Sequence, residues 1–188
     1  MANATSTQLQ KLYVAYFGRP ADPLGLDYWL GESVSQAHFA SIMHAQAEFQ
    51  DVFGSRSTEL QVNEIYQNLF SRDADAAGLE YWTNQINNDV LKLAEIATHL
   101  IWAAQNNPGS EADKAALIKR TNNALTFTAE VRTSTECILA YQPVSTEPWV
   151  TGPAFEYGRS YIDTDTCSSC AIPAVIPEVN ICDILTSL

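Results

Sequence analysis

Apolar residues recur at helical spacing through most of the chain. In the first stretch they fall at Leu9, Leu12, Tyr13, Tyr16 and Phe17, one face of a helix that Ser6 or Thr7 starts and Gly18 ends. Asp22-Pro23 opens a short second helix, because Asp accepts hydrogen bonds from unpaired backbone N–H groups and Pro lacks one that the first turn would leave idle. Ser35 caps a third helix with Phe39, Ile42, Met43, Ala47 and Phe49 inward, running to about Phe53 and stopped by Gly54. Ser57 or Thr58 restarts the pattern. Asp75 caps the next middle helix, and Val90 to Ala104 closes the set through Leu91, Leu93, Ile96, Ala97, Leu100 and Ile101, with Pro108-Gly109 as its end. Ser110 and Asp113 resemble a capping pair for a seventh helix from Glu111 through Leu117, Ile118 and Leu125. The Thr-rich stretch Leu125 to Glu136 reads either as a strand by propensity or, the favoured reading, as a continuation of the helix past Phe127 and Val131 to a break near residues 133–135. Gly152-Pro153 opens one more helix over residues 154–162. Beyond Asp163 the period disappears; Pro173 and Pro177 among small and β-branched residues predict an extended tail.

One stretch is written twice. Residues 12–29 read LYVAYFGRPADPLGLDYW and residues 65–82 read IYQNLFSRDADAAGLEYW, so that Tyr13/Tyr66, Phe17/Phe70, Arg19/Arg72, Ala21/Ala74, Asp22/Asp75, Gly25/Gly78, Leu26/Leu79, Tyr28/Tyr81 and Trp29/Trp82 are identical pairs. The copies divide the chain into an all-α fold of two tandem three-helix repeats, each long, short, long, at about residues 8–55 and 56–108. Residues 1–134 then form a helical domain that includes the following helix, 135–163 an additional helical segment, and 164–188 the extended, cysteine-containing tail. Within the motif, Asp22 and Asp75 read as helix caps, and Arg19 and Arg72 as partners of those caps or of a helix C-terminus. A glycine inside a helix costs about 1 kcal/mol against alanine, so Gly25 and Gly78 imply the close approach of another backbone. The doublets Tyr28-Trp29 and Tyr81-Trp82 read as inward-facing packing, with a sugar-stacking surface as the alternative.

Ten basic residues stand against 22 acidic ones, a net charge of −12 with a pI near 4.4. Nucleic acid is an improbable partner on that balance, since affinity for a polyanion comes from clustered Lys and Arg. No run of 18 apolar residues exists, which excludes a membrane-spanning helix, and the opening MANATSTQLQK has neither the basic nor the apolar region of a signal peptide. All four cysteines lie late. Cys137, Cys167, Cys170 and Cys182 are disulfide candidates of open connectivity, with a zinc or redox role for Cys167-x-x-Cys170 as the lesser reading. His38, His44 and His99 are not spaced as ligands. Asp163 and Asp165 resemble the start of a calcium loop that lacks its glycine and glutamate, so calcium is the one cofactor weighed, and no other metal is expected. No G-x-S-x-G, Walker loop or H-E-x-x-H occurs, and no catalytic residue is assigned.

The doubled LYxAYFGRPADPxGLxYW pattern resembles the domain-of-unknown-function family 4214, helical modules of secreted bacterial surface-layer and adhesin-type proteins, distantly similar to phycobilisome linkers. The resemblance covers residues 8–106 and continues more loosely through residues 122–131 and on to Tyr161–Asp163. It implies a cell-surface or assembly module, extracellular, exported by type I secretion without an N-terminal signal. The expected function is accordingly a non-enzymatic, self-assembling structural protein forming a filament, sheet or matrix as a homo-oligomer, its tail contacting a neighbouring copy. A glycan-binding anchor for lipopolysaccharide or another polysaccharide is the first alternative, and an intracellular linker or scaffold the second.

Overall fold

The computed structural model describes residues 2–143, 149–164 and 181–188, and these are all helix, turn or loop, with no strand among them. In chain order the helices are α1 (Ser6–Phe17), α2 (Pro23–Gly31), α3 (Gln36–Ala45), α4 (Ala47–Phe49), α5 (Thr58–Phe70), α6 (Ala76–Asn87), α7 (Ile96–Asn106), α8 (Glu111–Val131), α9 (Thr135–Ala140), α10 (Pro153–Ile162) and α11 (Ile181–Ser187). The all-α expectation holds.

Helices α1 and α5, the first of each motif copy, pack side by side, and α8 lies across both. Their shared core is built from Leu9, Leu12, Tyr16, Phe39, Phe49, Ile65, Leu69, Ile96 and Leu100, each nearly or wholly removed from water. Asn68 in α5 donates to Ala15 O at 3.1 Å, and Tyr16 to Ala94 O at 2.8 Å, so the polar groups that burial would orphan are paired. A second, smaller core gathers Phe127, Val131, Cys137, Tyr141, Phe155, Ile181 and Leu185 between the end of α8 and α9 to α11. Val14, Ala124 and Ile162 bridge α1, α8 and α10.

Several local expectations change. Thr5, not Ser6 or Thr7, caps α1, in a capping box with Gln8; a cap at Ser6 would put Leu9, which cannot answer it, at the third helical position. The third helix does not run unbroken to Phe53. It stops at Ala45, Gln46 is extended, and a short turn (α4) and a π-helical turn over Gln50–Gly54 follow. The break rotates Glu48 and Phe49 inward, where both are buried. In the second copy the middle helix is not short, since α6 has 12 residues against nine in α2. Its third element starts late, with a 3₁₀ turn over Leu93–Glu95 before α7. Ser110 precedes α8 without a side-chain cap bond: its backbone (φ −96°, ψ 19°) is not the extended one from which a capping hydroxyl reaches the N–H groups of the first turn, and the Asp113 carboxylate is taken by Arg72. The tail is not extended throughout: Ile181–Ser187 is helical, with Ile181 and Leu185, four residues apart, buried in the second core. Tertiary burial of that one face supplies what a seven-residue helix lacks by itself. Cys137 and Cys182 are joined, with Cα atoms 5.1 Å apart, so the end of the chain docks on its own molecule. Cys167, Cys170 and Asp165 lie outside the described residues.

Candidate functional site

Each copy of the motif walls a cleft, and the two clefts use the same seven motif positions. The first is lined by Tyr13, Phe17, Arg19, Asp22, Gly25, Tyr28 and Trp29, the second by Tyr66, Phe70, Arg72, Asp75, Gly78, Tyr81 and Trp82. Local geometry agrees closely between them. Asp22 accepts from Gly25 N at 2.7 Å and Asp75 from Gly78 N at 2.8 Å, the expected caps. The Tyr-Trp doublets stack edge to face with centroids 4.9 Å apart in both copies. Arg19 and Arg72 donate Nη1 to the next residue's carbonyl, at 3.0 and 2.7 Å.

Three motif expectations are corrected here. The glycines are not there for a neighbouring backbone. A Cβ at Gly25 would come 2.7 Å from Asp22 Oδ2 and 2.8 Å from the Tyr13 hydroxyl, so the glycine makes room for the cap itself and for a buried tyrosine. At Gly78 the same contacts relax to 3.4 Å for the Asp75 carboxylate and 3.3 Å for the Tyr66 hydroxyl. The arginines do not pair with the caps: Arg19 forks onto Glu48 at 2.6 and 2.7 Å, and Arg72 onto Asp113 at 2.7 and 2.8 Å. The doublets are not inward as units, since Tyr28 and Tyr81 are 58% and 55% exposed while Trp29 and Trp82 lie half-buried against the core. Trp82 Nε1 donates to the Tyr66 hydroxyl at 3.0 Å, fixing its ring on the cleft wall.

What differs is what covers each cleft. In the first copy Arg19 is buried, with Phe155 stacked 3.8 Å from its guanidinium carbon; Tyr141 donates to Pro20 O at 3.0 Å and Thr128 to Ala21 O at 2.7 Å. Burial alone would lower the Arg19 guanidinium, but the Glu48 carboxylate more than offsets it and holds it above its ordinary range. The first cleft shrinks to about 390 Å³, with Gln142, Pro143 and Trp149 on its rim. Among the described residues the second copy has no such cover. Its cleft measures about 640 Å³, and Arg72 stays 40% exposed, its pKa raised by the hydrogen bonds it donates to the Asp113 carboxylate.

Residues the motif did not announce complete this open cleft. Trp102 of α7 is 62% exposed, His99 meets the Trp82 ring edge-on at 6.1 Å, and Gln85 and Asn107 add amide groups. An exposed tryptophan on an otherwise amphipathic helix is the signal that could have marked α7 in the sequence. Burial raises Tyr66 above its ordinary value, so its hydroxyl stays a neutral donor and acceptor.

A family model described as a domain of unknown function (DUF4214) matches residues 40–107. Over residues 40–107 the chain is similar to that family. The matched stretch contains the whole second motif copy, α6, α7 and nearly all of the open cleft, whereas the first copy of the motif precedes it. No curated protein and no solved structure matches the chain. Among the described residues no cluster of His, Cys, Asp or Glu is arranged to hold a metal ion, and no helix is long and apolar enough to cross a membrane. Asp163, the described half of the calcium candidate, pairs with Arg120 and accepts from Ser71 Oγ at 2.7 Å.

Proposed function

We propose that the protein is a non-enzymatic cell-surface module that attaches to a polysaccharide through the open cleft of its second motif copy. The observation that carries this reading is the wall of that cleft: Tyr81 and Trp102 exposed, Trp82 half-buried, and the Arg72–Asp113 pair beside them. Sugar rings offer apolar C–H faces to aromatic rings and hydroxyls to planar polar groups, and a forked arginine–carboxylate pair supplies donor and acceptor together. Both carboxylates in the cleft are already engaged, Asp75 in capping and Asp113 by Arg72, which supports binding without catalysis. The Cys137–Cys182 pair favours an oxidising, extracellular setting over an intracellular scaffold.

The test is a glycan array followed by calorimetry on its hits. Trp102→Ala and Tyr81→Ala are expected to weaken binding at least tenfold while leaving the melting temperature unchanged, because both rings are largely solvated. Retention of no glycan at all, or equal affinity in both variants, would sink the reading.

A second reading is a structural subunit that self-assembles. It draws on Leu24 and Tyr28, which lie four residues apart on α2 and are 52% and 58% exposed. Light scattering on the purified chain, with and without calcium, separates the two: a strict monomer that binds glycan leaves only the first.

A further inference from the structure

Three arginines line one cavity of about 470 Å³ on the far side of Arg72 from the cleft, at the junction of α1, α5, α8 and α10. A chain with only ten basic residues and a net charge of −12 has placed Arg72, Arg120 and Arg159 around a single space. Part of this gathering has an internal cause. Gly18 and Ser71, the left-handed caps of α1 and α5, bring two helix C-termini to the cavity, and cations are favoured there. Arg120 answers that field, donating Nε to Asn68 O at 2.7 Å and Nη1 to Ser71 Oγ at 2.6 Å, and it pairs with Asp163. Arg72 is committed to Asp113 and Asp73 O.

Arg159 is not accounted for in this way. Its Nε is buried without a hydrogen-bond partner, and a Cβ built at Gly18 would come 3.6 Å from its Nη1, so the guanidinium is held over the α1 cap at the cavity wall. Two carboxylates, Asp73 and Asp163, line the same cavity, but both are engaged by neighbouring donors. Asp73 accepts from Asn63 and Gln67 at 2.7 and 2.6 Å; Asp163 belongs to Arg120; Glu64 lies close enough to sense Arg159 without an ion pair between them. The half-buried Arg159 guanidinium thus keeps one buried donor, Nε, without an acceptor among the described residues, and an anion in the cavity is a group that could take it.

We infer that this cavity takes a small oxyanion, a carboxylate, sulfate or phosphate group, gripped by Arg159 with Arg120 beside it. Planar guanidinium groups recognise such anions with two parallel N–H donors, and a local cluster of them is what an acidic protein needs to hold one against its overall field. Because Arg72 walls both this cavity and the aromatic cleft, a charged substituent on the same polysaccharide would reach it. That extension rests on the polysaccharide reading; the anion site itself does not.

The experiment has two arms. In the first, sodium sulfate and sodium phosphate are titrated calorimetrically into the wild type, Arg159→Gln and Arg159→Lys, with sodium chloride at equal ionic strength as the control. Saturable binding by the wild type, weakened at least tenfold in Arg159→Gln and partly kept in Arg159→Lys, is expected. Melting temperatures should agree, since Arg159 makes no hydrogen bond to any described residue that the variants would lose. Binding no stronger than the chloride control, or equal binding in Arg159→Gln, overturns the inference. In the second arm, neutral and sulfated or carboxylated forms of one oligosaccharide are compared. A preference for the acidic form that disappears in Arg159→Gln identifies the anion as part of the polymer. Sulfate binding with no such preference assigns the site to a free anion. Sulfate binding with no oligosaccharide bound at all refutes the polysaccharide reading and leaves the anion site standing.

Discussion

Two identical arginines in two copies of one motif meet different fates, and the difference is a matter of burial. Arg19 and Glu48 are 2% and 7% exposed, so removing either partner strands a charge in the interior, at a cost of about 3–5 kcal/mol. Arg72 and Asp113 keep contact with water, and their pair contributes about 0–1 kcal/mol. Denaturant melts should therefore show Glu48→Gln losing several times more stability than Asp113→Asn, and equal losses would mean that the two environments are alike. Burial also acts on tyrosines. Tyr13, Tyr16 and Tyr141 are pushed above the ordinary value of about 10 by desolvation. Each folded-state pKa is raised above its unfolded value. The linked stability is therefore fully present below pH about 10 and is lost as pH rises through and beyond that value, because the unfolded chain releases those protons first. Denaturation midpoints at increasing alkaline pH check this; a flat profile above pH about 10 contradicts it. None of these contrasts is visible in the motif, where Arg19 and Arg72 occupy the same letter.

At the scale of the helix, the caps were the most legible feature. Asp22, Asp75, Ser35 and Ser57 each accept the backbone N–H their positions imply, because capping depends on three or four consecutive residues and on nothing distant. The glycines were readable as a demand for space but not as to what needs it. Gly25→Ala would drive a methyl group to within 3.0 Å of two buried side chains and is expected to destabilise by about 1–3 kcal/mol. Gly78→Ala meets its neighbours at 3.3–3.4 Å on an exposed helix and should be neutral, or stabilising by up to about 1 kcal/mol through helix propensity. Thermal melts of the two variants make the comparison, and matching signs would show that the looser packing of the second copy has no consequence. The break after Ala45 and the helix at Ile181–Ser187 were not legible, since each exists to place a side chain, Glu48 or Leu185, against a partner far along the chain.

Across the whole molecule, Tyr141, Trp149 and Phe155 fold back over Arg19 and narrow the first cleft, while among the described residues nothing covers the second in this way. Their small core holds few buried side chains, so the Cys137–Cys182 link, spanning 45 positions, carries much of its stability. A Cys137→Ser/Cys182→Ser variant should lose about 2–4 kcal/mol and expose α11 to proteolysis ahead of α1 to α8, as limited digestion with mass spectrometry would show. Survival of α11 for as long as α8 would count against that role. Some properties were settled by the sequence alone. Helical class, the caps at Asp22, Ser35, Ser57 and Asp75, the doubled motif and the acidic balance all follow from short-range spacing or composition, which three-dimensional context does not alter. Tertiary structure decided which copy is covered, which carboxylate each arginine takes, and that Arg72, Arg120 and Arg159, distant in the chain, share one cavity. Those outcomes depend on contacts between residues tens of positions apart, and no local pattern encodes them.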